Sequence, residues 1–553
     1  MKNLRIQLII ILLTGLVVGL LLISEQTGFR LISPAPAKGG TYTEALIGNM
    51  QRLNPVLDYY NVPDRDVDRL IFSRLVTFDE RGYPVGDLAE AWGISFDGLL
   101  YNFTLRGNAV WHDGQPVTTQ DVVYTVEMMR DVNSVLPEDL KSFWRGIEVI
   151  ALSDQALQFK LPEPFAPFMD YLSFGILPKH LLGSLGYQEM VSSAFNLQPI
   201  GSGPYKFERL IIEAGEVKGV VLNSNTQYYG EVPFISQIAF RYYPDLNSSF
   251  TAYQEGKVQA LTDLSGEVLH SALREPALSV YSVKKPEVSI ILLNLNNSEV
   301  KFFQDADVRR ALLQSINRQK LIEIALEGQG IIADVPLLPG TWAYYDGVAR
   351  VNYDTQAANI LFRKAGYVLD QEGSGVRKKN GVPLSFTMVH PDDSTHTAVA
   401  DYLRDEWEKV GVEVILQPVP YDSLVLDHLQ PLTYQAVLVD LNFLRSPDPD
   451  PYPFWDQSQQ SGGQNYSQWE NRIVSQYLEE ARVSRELDER AKLYRNFQVV
   501  FATELPALPL YYPVYTFAVS QNIQGIRLSA FFDYSDRFNT ISEWHIGIKT
   551  ADK

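Results

Sequence analysis

The chain has no cysteine. That removes disulfides, thiolate metal sites and cysteine nucleophiles together, and with them the residue on which a lipoprotein carries its lipid. Histidine is scarce, seven residues in 553, and no pair has H-E-x-x-H spacing. The closest two, His390 and His396, bracket Pro391-Asp-Asp-Ser-Thr, which reads as a surface loop and not a metal site. Basic residues are outnumbered 47 to 66, leaving a net charge of −19. Such a chain repels a nucleic-acid backbone, so no nucleic-acid partner is expected. The densest basic run, Arg377-Lys378-Lys379, lies in a Gly-rich stretch and reads as a solvated turn. G-x-S-x-G is also missing, and with it the sequence mark of a serine hydrolase. Asp448, Asp450 and Asp456 suggest calcium only until Pro449, Pro451 and Pro453 are noticed, because a calcium loop needs a flexible backbone there. No metal, cofactor or catalytic residue is expected.

What is present is enough for a large packed protein. Hydrophobic residues make up 46% and charged residues 20%, ordinary for globular domains, and the length suggests about three of them. Lys2 and Arg5 precede an apolar run from Leu8 to Ile23, 16 residues long. That is long for a signal-peptide core and slightly short for a spanning helix. Ala35-Pro36-Ala37 offers a small-x-small cleavage site, but it lies 14 residues past Ile23. The expectation is an uncleaved anchor holding the rest outside the cytoplasmic membrane, with a cleaved signal as the alternative. Residues 1–37 are set aside from the fold.

The most informative stretch is Leu88 to Thr125, LAEAWGISFDGLLYNFTLRGNAVWHDGQPVTTQDVVYT. Tyr101, Phe103 and Leu105 alternate with Asn102, Thr104 and Arg106, the pattern of a half-buried strand. Asp97-Gly98 and Asp113-Gly114 are turn dipeptides. Thr118-x-x-Asp121 can cap a helix whose apolar face is Val122, Val126 and Met129. The residue order "AW…s.DG..Y.F.LR…v.WHDG.PvT..DVvYT" resembles the family 5 solute-binding proteins, the peptide- and nickel-binding class that serves ABC importers. Further matches follow: Asn54-Pro55, Gly201-Ser-Gly-Pro-Tyr-Lys-Phe, the segment Asp305–Glu327, Tyr353-Asp354 to Gly366-Tyr367, and Leu505-Pro-Ala-Leu-Pro-Leu. The resemblance covers roughly Gly39 to Ile526.

It implies an α/β, two-lobed periplasmic-binding-protein-like fold (type II, large cluster) with a small inserted α+β domain. Lobe I would comprise 39–70, 173–286 and 512–548, the inserted domain 71–172, and lobe II 287–511. The crossings between lobes would fall near Val288–Asn296 and Tyr511–Phe517. Local pattern adds a helix from Val67 to Val76, one amphipathic helix over Asp305–Glu327, and helix through Trp469–Phe501.

The implied function is capture of a peptide or other small polar solute between the lobes, by a monomer that delivers it to an ABC permease and its ATPase. A membrane-anchored sensory or adhesive module and a secreted hydrolase are the alternatives. In the family's peptide binders an acidic residue just ahead of an Asp-Pro pairs with the ligand's amino group. Aligned on Asp448-Pro449, this chain offers Leu444-Arg445-Ser446, with no carboxylate between Asp440 and Asp448. Arg445 would repel an ammonium, which points towards ligands bearing carboxylate, phosphate or hydroxyl groups. Trp342 and Tyr344 follow Leu338-Pro339-Gly340, a loop that reaches the cleft in relatives, and aromatics suit such sites. Asn294 and Asn296 on the crossing strand could bond a ligand's backbone or hydroxyls.

Overall fold

A computed structural model describes residues 35–369, 375–445, 447–529 and 531–549. Of the expected N-terminal anchor and linker, residues 1–37, all but the last three residues lie outside them. Among the described residues no helix is long and apolar enough to cross a membrane.

In lobe I, β1 (Thr41–Ile47) is followed by helix α1 (Val62–Ile71). The helix begins five residues before the Val67 expected from spacing, because Pro63 fits its first turn, where no N–H is needed. The inserted domain is an antiparallel sheet in the order β2-β3-β5-β4, formed by β2 (Ala89–Ile94), β3 (Leu100–Leu105), β4 (Glu148–Ala151) and β5 (Ala156–Lys160). As the alternation requires, Tyr101, Phe103 and Leu105 are buried while Asn102 and Thr104 face water. Helix α2 (Thr119–Met129) starts at a capping box in which the Thr118 N–H donates to Asp121 at 2.7 Å, and Val122, Val126 and Met129 are buried. The Trp-His-Asp-Gly motif is a fastener. His112 accepts the Gly201 N–H and meets the Gly203 carbonyl at 3.1 Å, while buried Trp111 lies against His180. It clips the inserted domain to the Gly-Ser-Gly-Pro-Tyr turn, where a Cβ on Gly201 would collide with the Ile71 carbonyl at 1.9 Å.

Lobe I resumes with β6 (Tyr205–Glu213), β7 (Glu216–Ser224), β8 (Gln237–Tyr243), β9 (Ala260–Leu261) and β10 (Leu278–Lys284). Lobe II contains β11 (Glu287–Leu293), helices α3 (Ala306–Gln314) and α4 (Arg318–Ala325), β12 (Ser385–Pro391), α5 (Ser394–Lys409), β13 (Glu413–Val419) and β14 (Ala436–Asn442). Helices α6 (Arg472–Val483) and α7 (Leu487–Glu504) then lead to β15 (Ala507–Ser520). One sheet runs β13-β12-β14-β11-β15-β9-β1-β8-β7-β6, and β10 also pairs with β15. Strand β15 therefore belongs to both lobes. Its first part pairs with β11 and its second with β10, in register from Val514 opposite Lys284 to Ser520 opposite Leu278. Lys284 to Glu287 is the second crossing, bonded alongside where the Lys285 N–H meets the Pro513 carbonyl at 2.8 Å. At the far side of lobe I, Ala35–Pro36 pairs with Ile548–Lys549.

Three sequence readings are corrected. The 305–327 segment is two helices, because Asn317 accepts the Lys320 N–H and caps a new one. The 469–501 segment likewise breaks between α6 and α7. Arg377 is not solvated: it is 3% exposed, and its guanidinium donates to the carbonyls of Val410 and Tyr367 and to Asn359.

The C-terminal segment returns to lobe I through Arg537. Its guanidinium has no exposed surface and is forked onto Glu44 of β1 and Asp66 of α1, at 3.0 Å from Glu44 Oε1 and 2.9 and 2.8 Å from Asp66. Removing one partner of a buried ionic pair strands the others, costing about 3–5 kcal/mol. Arg537→Ala is accordingly expected to lower stability by that amount in urea denaturation followed by circular dichroism, whereas Lys301→Ala, on an exposed side chain, leaves the midpoint within about 0.5 kcal/mol.

Candidate functional site

A cavity of about 270 Å³ opens where lobe I, the inserted domain and the β14–α6 loop of lobe II meet. Helix α1 supplies Arg65, Asp68 and Arg69, the inserted domain supplies Met129, Trp144, Asp170 and Tyr171, and lobe II supplies Leu444, Arg445, Pro447, Asp448 and Asp450. Asp533 and Asp536 close it from the C-terminal segment.

Arg445 reaches across the boundary. Its Nη2 lies 3.5 Å from Asp58 Oδ1, its Nε 3.3 Å from Asp533 Oδ2, and its guanidinium 5.0 Å from the Tyr59 ring centroid. The residue has φ of +62°, left-handed backbone that costs a side-chain-bearing residue roughly 1–3 kcal/mol. Its N–H donates to the Phe532 carbonyl at 2.6 Å, which fixes that conformation. The positive charge is thus taken up by the protein's own acids. Burial pushes the Asp58 carboxyl up to about 6, against the pull of Arg445 and Arg65. At Asp533 burial is outweighed by Arg65, Arg445 and Arg74, and the carboxyl is held well below its usual range.

The other acids of the wall are paired in the same manner. Asp448 meets Arg490, and Asp450 meets Arg482 at 2.9 Å. Asp536 lies 4.0 Å from Arg74. Asp170 accepts the Asp448 N–H at 2.7 Å but has no cation, and burial followed by the neighbouring Asp448 charge raises its carboxyl. Among the described residues Asp68 has no ion-pair partner, and neither of its oxygens has a hydrogen-bond partner.

Of the five candidate ligand-binding residues, Asn294, Asn296, Trp342, Tyr344 and Arg445, it is Arg445 that lines this cavity, together with Asp448 and Asp450 of the Pro-punctuated acidic loop. Trp342 stands behind the wall, its ring 5.7 Å from Tyr494 and 5.2 Å from the Arg490 guanidinium that holds Asp448. Tyr344 packs against the lobe II core. The Leu338–Thr341 loop reaches a different cavity of about 370 Å³, beside Lys284, Lys285 and Val514 of the crossings. Asn294 is buried, its amide donating to the carbonyls of Leu432 and Tyr434. Asn296 is exposed on the turn after β11. The residues that sequence reasoning missed are Asp58, Asp68 and Asp533. The acidic run in VPDRDVDRL was visible, but which of its carboxylates turn inward depends on where α1 starts.

Across the lobe II sheet, His396 sits between two carboxylates, 2.7 Å from Asp393 and 3.2 Å from Asp440. Burial opposes its charge, yet Asp440 and Asp393 prevail and lift it to about 9.

Two lobes joined by paired strands, with a walled cavity at their junction, define a binding protein of the hinged type. A sequence profile described as "Bacterial extracellular solute-binding proteins, family 5 Middle" matches residues 83–464, and the chain belongs to this family. It is 25% identical over 514 residues to the oligopeptide-binding protein AppA of Bacillus subtilis, covering 91% of this chain and 92% of that one. It is 24% identical over 482 residues to the dipeptide-binding protein of Escherichia coli, covering 82% and 86%. The structure of HbpA2 from Haemophilus parasuis superposes with a TM-score of 0.77 at 20% identity, over 92% of this chain and all of that one. The chain is an extracytoplasmic solute-binding protein of an ABC transporter.

Two outcomes are expected. Arg445→Ala removes the bridge between lobe II and the lobe I acids, so small-angle scattering of the ligand-free protein should give a larger radius of gyration than wild type. His396 carries a raised pKa, so its stabilising charge is complete below its ordinary value of 6.5 and lost as pH rises through about 9. The stability difference between wild type and His396→Asn in urea should shrink over that window.

Proposed function

We propose that the chain captures a small polar solute in the cavity beside Arg445, that the two strand crossings act as the hinge, and that the loaded form docks on a membrane permease driven by an ATPase. The enclosed volume supports this, since it lies near the lower end of the range of about 300–1,000 Å³ typical of ligand pockets. A ligand the size of a short peptide or smaller suits it. Among the relatives, peptides, nickel and heme appear in the names of the proteins, and peptide is the favoured class here because the cavity has the size of a short one.

In this reading Arg445 is a ligand-side residue whose charge is already balanced, so it latches the lobes and does not itself demand an anionic solute. Trp342 backs the wall through Arg490, and Asn294, Asn296 and Tyr344, which stand elsewhere on lobe II, do not meet the solute. The chain binds and does not turn its solute over. It is held outside the cytoplasmic membrane by residues 1–37 and works as a monomer.

The test is to denature the purified full-length protein, identify the released solute by mass spectrometry, and add it back. The expected result is a saturable fall in radius of gyration and a loss of uptake of that solute in cells lacking the chain. An unchanged radius at saturation, or chemical conversion of the solute, contradicts the reading.

A further inference from the structure

Among the described residues, the buried carboxylates of the cavity wall and of α1 meet a cation or accept a hydrogen bond, with Asp68 the exception. On α1, Asp64 accepts the N–H groups of Gln51 and Arg52 and the Asn61 amide, and Asp66 grips Arg537. Two residues on, Asp68 is 2% exposed and lines the cavity, and neither of its carboxylate oxygens has a hydrogen-bond partner among the described residues. The backbone N–H of Asn54 lies near it but donates to the Arg52 carbonyl at 3.0 Å. The charges it feels most are of its own sign, Asp58 and Asp64, and burial with these neighbours lifts its carboxyl well above the usual range.

Phe72 and Phe174 line the same cavity. A buried polar group left without a partner destabilises the fold, and such a cost is retained at sites where a ligand later removes it. A carboxylate in that position is complemented by a positive charge that can donate hydrogen bonds, and aromatic rings in the same cavity can take a cation over their faces.

We propose that Asp68 is the counter-ion for a cationic group, a primary ammonium or a guanidinium, on the captured solute. This rests on the reading of the cavity as the capture site. The cation would bond the Asp68 oxygens at the base of α1, while Arg445 stays engaged with Asp58 and Asp533 and closes lobe II over it.

The experiment titrates the full-length protein, followed by calorimetry and thermal shift, with trialanine, N-acetyl-trialanine, spermidine and glutarate. Binding of trialanine or spermidine is expected, with N-acetyl-trialanine and glutarate silent, and Asp68→Asn weakening the binder by roughly 30-fold or more. Equal binding of the acetylated peptide or glutarate, or unchanged affinity in Asp68→Asn, overturns the proposal and leaves capture in the cavity standing. Silence from all four overturns the cavity assignment and the proposal with it. A second measurement guards against misfolding: ligand-free Asp68→Asn should melt at or above the wild-type temperature, because it replaces an unpaired acid by a neutral isostere. A clear drop would mark Asp68 as a structural residue and overturn the proposal.

Discussion

The molecule depends on a strand shared between two bodies. Strand β15 pairs with β11 in lobe II and with β10 and β9 in lobe I, so neither lobe can complete its sheet without it. The backbone bonds that build the lobes therefore also set how they are joined. The neighbouring crossing at Lys284–Glu287 runs beside it, and two parallel links restrict relative motion to bending and modest twist. The cavity lies at the same junction, with Arg445 facing Asp58 and Asp533 of lobe I across it.

Around the cavity the controlling physics is electrostatic. Eight aspartates and four arginines line it, an arrangement that would be untenable if the charges were not matched across short distances. Arg482 and Arg490 neutralise Asp450 and Asp448 from behind, and Arg65 and Arg445 share Asp533. What remains uncompensated is mainly acidic, in keeping with the excess of acid in the whole sequence but concentrated where a solute would lie.

Much of this architecture was readable from residue order. The alternation of Leu99 to Arg106, the turn glycines and the Thr118 capping box each describe local geometry that packing then preserved. The helix at Asp305–Glu327 was read too long because its apolar spacing continues through Ser315-Ile316-Asn317, and only the Asn317 cap, a backbone event, splits it. Arg377 looked solvated since its neighbours Lys378 and Lys379 are, yet carbonyls from Tyr367 and Val410 converge on it through tertiary contact. Arg445 was legible as an anomaly in a Pro-rich loop, but its partners Asp58 and Asp533 are distant in sequence. Asn294 shows the converse: an amide on a crossing strand looked available, and the fold spends it on Leu432 and Tyr434.

The pairing of Ala35–Pro36 with Ile548–Lys549 brings the two ends of the described chain together on lobe I. Whatever precedes Ala35 is therefore leashed to that lobe. Both ends of the described chain leave the fold from the same lobe, on one side of the two crossings, so a pull on either end loads lobe I and spares lobe II.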